Sequence, residues 1–183
     1  MVDGRREQTA RRILDGAAAV FAKGGFAAAS MEEIAAAAGV SKLLLYRDFA
    51  GKRELYQAVL ARTRELLFAN VKTYASNESL RAVLAVARSD PDGFTLLYRH
   101  AVREPEFAGY ATGLTREFEE MSLSILTGIE PDPRLRRWAA EMTVTITFQG
   151  VIAWLEHGDP SRDDEFCERL LAITRATAKG YAK

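Results

Sequence analysis

Residues 30–49 decide the fold, and they read Ser30-Met31-Glu32-Glu33-Ile34-Ala35-Ala36-Ala37-Ala38-Gly39-Val40-Ser41-Lys42-Leu43-Leu44-Leu45-Tyr46-Arg47-Asp48-Phe49. Ser30 followed by Glu33 is a capping box: the serine oxygen takes one orphan N–H of a new helix and the glutamate takes another. The helix opened there is alanine-rich and short, ending near Ala38. Gly39 follows, where the turn asks for a backbone that a Cβ disfavours. Ser41 then serves as the N-cap of a second short helix through Phe49.

Upstream, Ala10, Ile13, Ala17, Val20 and Phe21 recur three or four residues apart, which is one apolar helical stripe stopped by Gly24-Gly25. Downstream, Ala50-Gly51 breaks the chain, and a long helix is predicted from near Lys52 to about Tyr74. Past Ser76-Asn77, spacers bearing proline or glycine at 90–93, 104–105, 128–133 and 158–161 separate five further helices, near 78–89, 92–103, 106–127, 134–157 and 162–181. No run combines strict alternation with β-branched residues and turn signals, so no strand is expected. The predicted fold is all-α with about nine helices: an N-terminal three-helix domain over residues 1–65 and a larger helical body over 66–183.

Composition narrows the classes. A hydrophobic share of 48% with 27% charged residues is that of an ordinary soluble globular protein. No stretch approaches the roughly eighteen apolar residues of a membrane span, and the charged N-terminus has no apolar signal core, so a cytoplasmic protein without membrane association is expected. Cys167 alone, with His100 and His157 far apart, excludes a disulfide framework and disfavours structural zinc. No Ser-His-Asp arrangement, metal spacing or phosphate-cradling loop supports an enzyme, and no cofactor is expected. Net charge is zero, yet residues 1–64 hold 11 Lys and Arg against 7 Asp and Glu. A basic front on a neutral chain suggests that the front meets a polyanion.

Two short helices joined by a tight glycine turn within a three-helix unit form the geometry that sets a recognition helix into the major groove. Residues 11–59 carry, in order and without a gap, Ala17-x-x-x-Phe21-x-x-x-Gly25, Ile34-Ala35-x-x-Ala38-Gly39-Val40-Ser41, Leu45-Tyr46-x-x-Phe49 and Lys52-x-x-Leu55. This ordered set closely resembles the DNA-binding domain of the tetracycline-repressor (TetR) family. The resemblance implies that Ser30 offers its hydroxyl and backbone N–H to a phosphate. It implies that Ser41, Lys42, Leu43, Leu44 and Arg47 face the groove or its rim, that Tyr46 presses on the sugar-phosphate backbone, and that Lys52 meets a phosphate. Arg47 is the candidate for a bidentate contact to guanine and Leu43 for a thymine methyl. Two positions differ from the family's habit: Asp48 stands where a histidine or neutral polar residue is common, and Leu44 replaces a smaller one. Both read as operator-specific changes. Structural alternatives stand beside these roles: Arg5, Arg6, Arg11 and Arg12 as a solvated helix face instead of a DNA arm, Tyr46 as a packing residue, and one of Leu43 and Leu44 packed on the long helix.

For the body the resemblance implies a dimerising, effector-sensing domain. Ala139, Thr143, Ile146, Thr147, Gly150 and Trp154 on one helix, with Phe166, Leu170, Ile173 and Thr177 on the last, match the pair that in family members meets its twofold mate; ordinary core is the alternative for one of them. Gly150 in mid-helix costs roughly 1 kcal/mol, so something should offset it. Phe94, Leu97, Tyr98, His100, Phe107, Tyr110, Phe118, Met121, Met142 and Phe148 are candidates to line a pocket for a small, largely apolar effector, although such a stripe also describes a plain core. The expected function is a homodimeric, sequence-specific regulator that binds a double-stranded DNA operator, acting as a repressor released by its ligand. Control by a protein partner, or action as an activator, are the alternatives.

Overall fold

The computed structural model describes residues 2–72 and 76–179. Among them lie nine α-helices and no strand: α1 (Val2–Ala28), α2 (Met31–Ala38), α3 (Lys42–Asp48), α4 (Lys52–Asn70), α5 (Asn77–Ser89), α6 (Pro91–Thr95), α7 (Ala108–Leu126), α8 (Pro133–His157) and α9 (Asp163–Lys179). Gly25, at φ 74°, interrupts α1 where the glycine pair predicts a stop. The predicted helix over 92–103 is instead a broken run. α6 gives way to a π turn over Leu96–His100 and a 3-10 turn over Ala101–Arg103. Pro105 disfavours helical backbone at Glu104, and the run ends there. The long fourth helix stops at Asn70, and Tyr74, like residues 180–181 of the last predicted helix, lies outside the described residues.

The chain divides into two compact units, residues 1–65 with 90–108, and residues 66–89 with 109–183. In the first, the α1 stripe of Ile13, Ala17 and Phe21 is fully buried. Phe21, Phe26, Tyr56 and Phe107 form one aromatic cluster, with the Tyr56 and Phe107 rings 4.1 Å apart. Glu104 accepts the Phe26 N–H at 2.7 Å, and Arg53 pairs with Glu106 at 2.7 Å. Asp90 caps α6 through the Gly93 N–H and binds α4 with both oxygens, taking Arg62 Nη2 at 2.8 Å and Thr63 Oγ1 at 2.8 Å. Arg62 also reaches Asp15 of α1 at 2.6 Å. Segment 90–108 is thus fastened to α1 and α4 by charge, hydrogen bonds and ring stacking.

The second unit buries Val83 and Leu84 of α5, Leu114 and Phe118 of α7, Val144, Phe148 and Val151 of α8, and Leu170 and Leu171 of α9. Asp132 and Pro133 start α8, the aspartate capping the N–H groups of Arg134 and Leu135. Asp163, at the start of α9, receives Arg88 Nη2 and Trp154 Nε1, each at 2.7 Å, while Trp154 stacks on Phe166. Gly150 lets α9 approach: a Cβ there would stand 3.1 Å from Leu170 Cδ1. The atom met is the tip of a leucine side chain, which need give only a few tenths of an ångström.

Candidate nucleic-acid interface

The candidate reading element, α2 and α3, is built from its caps. Ser30 Oγ accepts the Glu33 N–H at 3.2 Å and Glu33 returns the favour to the Ser30 N–H at 2.9 Å, completing the capping box. The Ser30 hydroxyl donates to the same carboxylate at 2.8 Å, which holds Glu33 below the usual carboxylate range. As at any helix start, the N–H groups of Met31 and Glu32 have no intrahelical acceptor and face whatever lies before the helix. At the other end Gly39 adopts left-handed backbone, φ 61° and ψ 40°, and its N–H closes the helix on Ala35 and Ala36. Ser41 Oγ then caps Leu44 of α3 at 3.2 Å. Ile34, Ala35, Ala38 and Leu45 are buried beneath the turn and fix how the two helices cross.

Two residues of α1 set this pair in place; sequence reasoning read Arg12 as a helix face or DNA arm and did not single out Gly16. Arg12 lays its guanidinium across the end of α2, donating to Ala38 O at 3.0 Å and 3.2 Å and to Gly39 O at 2.6 Å. The last turn of α2 has no basic residue of its own, so Arg12 supplies the positive charge that a helix C-terminus favours. Arg12 is therefore neither a free solvated face nor an extended arm. Gly16, one turn on, lets α1 touch the backbone of Ala38: a Cβ there would come 2.6 Å from its N and 2.9 Å from its Cα. The only available signal was their four-residue spacing, which puts Arg12 and Gly16 on one face.

The expected contact residues fall into two groups. Leu43 is 83% exposed and Tyr46 48% exposed, so both project from α3, whereas Leu44 is half-buried. The cations are engaged within the chain. Lys42 pairs with Glu32 of α2, and the contact moves the lysine up and the glutamate down from their ordinary pKa values. Arg47 forks onto Asp48, Nε to Oδ1 at 2.8 Å and Nη2 to Oδ2 at 3.1 Å. Lys52 donates to Ala29 O at 2.8 Å and Ala27 O at 3.3 Å and lies 4.6 Å over the Phe26 ring. It thereby holds the end of α1 against the start of α4.

The ten effector candidates divide between the units. Phe94, Leu97, Tyr98, His100 and Phe107 belong to the first, and all but half-buried His100 are buried in it. Tyr110, Phe118, Met121, Met142 and Phe148 belong to the second, where Phe118 packs edge-on to Phe148 at 5.1 Å. Surface clefts among the described residues lie elsewhere. One of about 410 Å³ runs along Val20, Lys23, Gly24, Ala28, Ala29 and Glu33. Another, about 480 Å³, lies among Leu123, Thr127, Pro133 and Arg136. Of the ten dimer candidates, Ala139, Thr143, Thr147 and Leu170 are buried within their own unit. Ile146, Gly150, Trp154, Phe166 and Thr177 are half-buried, and Ile173 is 52% exposed. Among the described residues no cluster of His, Cys, Asp and Glu is placed to hold a metal ion, and no helix is long and apolar enough to cross a membrane.

Comparison with known proteins agrees with this geometry. Residues 13–59 match the family model described as bacterial regulatory proteins, tetR family. The chain is 31% identical over 177 residues to the HTH-type transcriptional activator FasR of Mycolicibacterium smegmatis, covering 89% of this chain and 80% of that protein. It is 46% identical over 55 residues to the HTH-type transcriptional regulator SrpR of Pseudomonas putida, covering 30% of this chain and 26% of that one. In fold it is similar to a TetR-like transcriptional regulator from Rhodococcus sp. RHA1, with a TM-score of 0.78 at 22% identity over 94% of this chain and 96% of that one.

Proposed function

Because the chain belongs to the tetR family of bacterial regulatory proteins and is a transcriptional regulator, we propose that it reads a two-fold symmetric operator as a homodimer, through α3, and releases it when a small, largely apolar ligand binds the second unit. One observation carries the DNA-reading half: α3 projects Leu43, Tyr46 and Arg47 from a turn whose caps and buried residues leave it little freedom. A single short helix reads too few base pairs for useful specificity, and a twofold pair reads a palindrome. The surface left at Ile146, Trp154, Phe166, Ile173 and Thr177 of α8 and α9 supports the dimer. An apolar ligand is proposed from the aromatic make-up of the second unit's core, where Phe118 and Phe148 pack edge-on. Such a ligand shifts the population between DNA-binding and released states only through its difference in affinity for them.

The test is a gel shift of the full-length protein on the intergenic DNA beside its own gene, with Arg47→Ala as the control. Equal binding by both proteins sinks the assignment of α3. An activator is a second reading, favoured by the name of the relative from M. smegmatis. Deleting the gene separates the two: target transcripts rise if the protein represses and fall if it activates.

A further inference from the structure

We propose that Asp48 is a specificity-determining positioning residue, which clamps the Arg47 guanidinium so that one edge alone is offered to a base, and that the base so read is guanine. The inference rests on the reading of α3 as the recognition helix. The carboxylate takes Nε and Nη2, the side-on fork of the guanidinium. The end-on edge, with N–H groups on Nη1 and Nη2 pointing in parallel, is left for a second pair of acceptors. In the major groove guanine alone presents two adjacent acceptors, O6 and N7; adenine and cytosine place an amino donor there, and thymine a single carbonyl beside a methyl group.

Exposure shows which member of the pair faces outward. The Arg47 side chain is 57% exposed and that of Asp48 only 13%. A recessed acid behind a projecting base is the arrangement of a support. An acid there to repel phosphate would be the outer member of the pair. The Arg47 contact first, and the charge of Arg6 as well, hold the Asp48 carboxyl below its usual range, so the clamp stays ionised. An unclamped arginine samples many rotamers and serves a phosphate as readily as a base. Clamped, it has lost that freedom before binding, and its discrimination rises.

The test uses the full-length protein to select from a duplex library with a randomised centre. Anisotropy titrations at one salt concentration then compare the selected duplex with its single-base variants, since affinities at different salt are not comparable. The wild type should prefer guanine at one position of each half-site by about fivefold or more, and Arg47→Ala should abolish that preference. Asp48→Ala and the isosteric Asp48→Asn should lose about threefold or more of it, the scale of a charge pair open to solvent on its arginine side. Their affinity for unselected DNA should match or exceed the wild type, because a negative charge has gone. If both Asp48 variants bind every duplex more tightly yet keep the wild-type guanine preference, Asp48 is a repelling charge and the proposal is overturned. It is equally overturned if Arg47→Ala keeps the preference. A wild type that selects no sequence at all overturns the DNA-reading function itself, an outcome distinct from the other two.

Discussion

Replacing Gly16 with alanine tests how α1 holds the reading helices, because two opposing effects of known size meet at that atom. On helix propensity alone the change is favourable by about 1 kcal/mol. The added Cβ, however, would lie 2.6 Å from the Ala38 nitrogen, 2.9 Å from its Cα and 3.0 Å from its Cβ. These are largely backbone atoms at the end of α2, not the tip of a flexible chain, so α1 and α2 must separate. Overpacking of this kind costs about 1–3 kcal/mol. With the separation also loosening Arg12 from Ala38 O and Gly39 O, the net expectation is a loss of about 1–2 kcal/mol. In a chain of this length that lowers the thermal midpoint by roughly 2–8 °C. Gly113 of α7 provides the comparison, since a Cβ there meets nothing within 4 Å. Gly113→Ala should raise stability by up to about 1 kcal/mol. Thermal melts followed by circular dichroism would give both signs, and anisotropy on operator DNA would show only Gly16→Ala weakening binding. If Gly16→Ala stabilises the protein as Gly113→Ala does, the close approach of α1 to Ala38 is wrong.

Arg12→Ala should cost about 1 kcal/mol of stability, typical of a lost cap, and weaken operator binding although Arg12 is assigned no DNA contact; the slope of log affinity against log salt should stay unchanged, and a drop of about one unit would instead make Arg12 a phosphate contact. Asp90→Asn removes the charge from a buried acid that holds Arg62 and Thr63, leaving Arg62 with Asp15 alone, and should cost about 2 kcal/mol in urea unfolding; a loss under about 1 kcal/mol would mean that the network does not hold α6 to α4. Acid titration bears on Asp163, which Arg88 and Trp154 hold below the ordinary carboxylate range. Its folded pKa is depressed, so its contribution is fully present above the unfolded value near 3.9 and is lost as pH falls through the lower folded value. Asp163→Asn should therefore flatten the pH dependence of stability below about pH 4, as read from urea midpoints across that range; an unaltered slope would remove the Arg88 pair from the account.

The reading element was legible because its instructions are local. Ser30 with Glu33, Gly39 and Ser41 each act on backbone within four residues, and their chemistry depends on no distant partner. What lay beyond the sequence is long-range. Glu104 meets Phe26 across 78 residues and Arg12 meets Ala38 across 26, and no periodicity encodes such pairings. A helical stripe gives no sign of what covers it. Ala139, Thr143 and Thr147 carry the same apolar or small-residue signature whether they face a partner or their own core, and here they face the core. The stripe at 94–107 gave no hint that α1 and α4 would cover it.

The joining of segment 90–108 to the first three helices has a consequence for building chimeric regulators. A natural cut for transplanting the DNA-reading head onto another sensor is just after residue 65. That piece would leave behind Phe107, which stacks on Tyr56, and Glu104, which holds the Phe26 N–H. It would also strip Arg62 and Thr63 of Asp90. The transplanted head would carry a bare aromatic face into its new host, with Arg62 left to Asp15 alone. A graft that keeps its shape must take two pieces of chain, 1–65 and 90–108, so the portable part of this regulator is discontinuous in sequence.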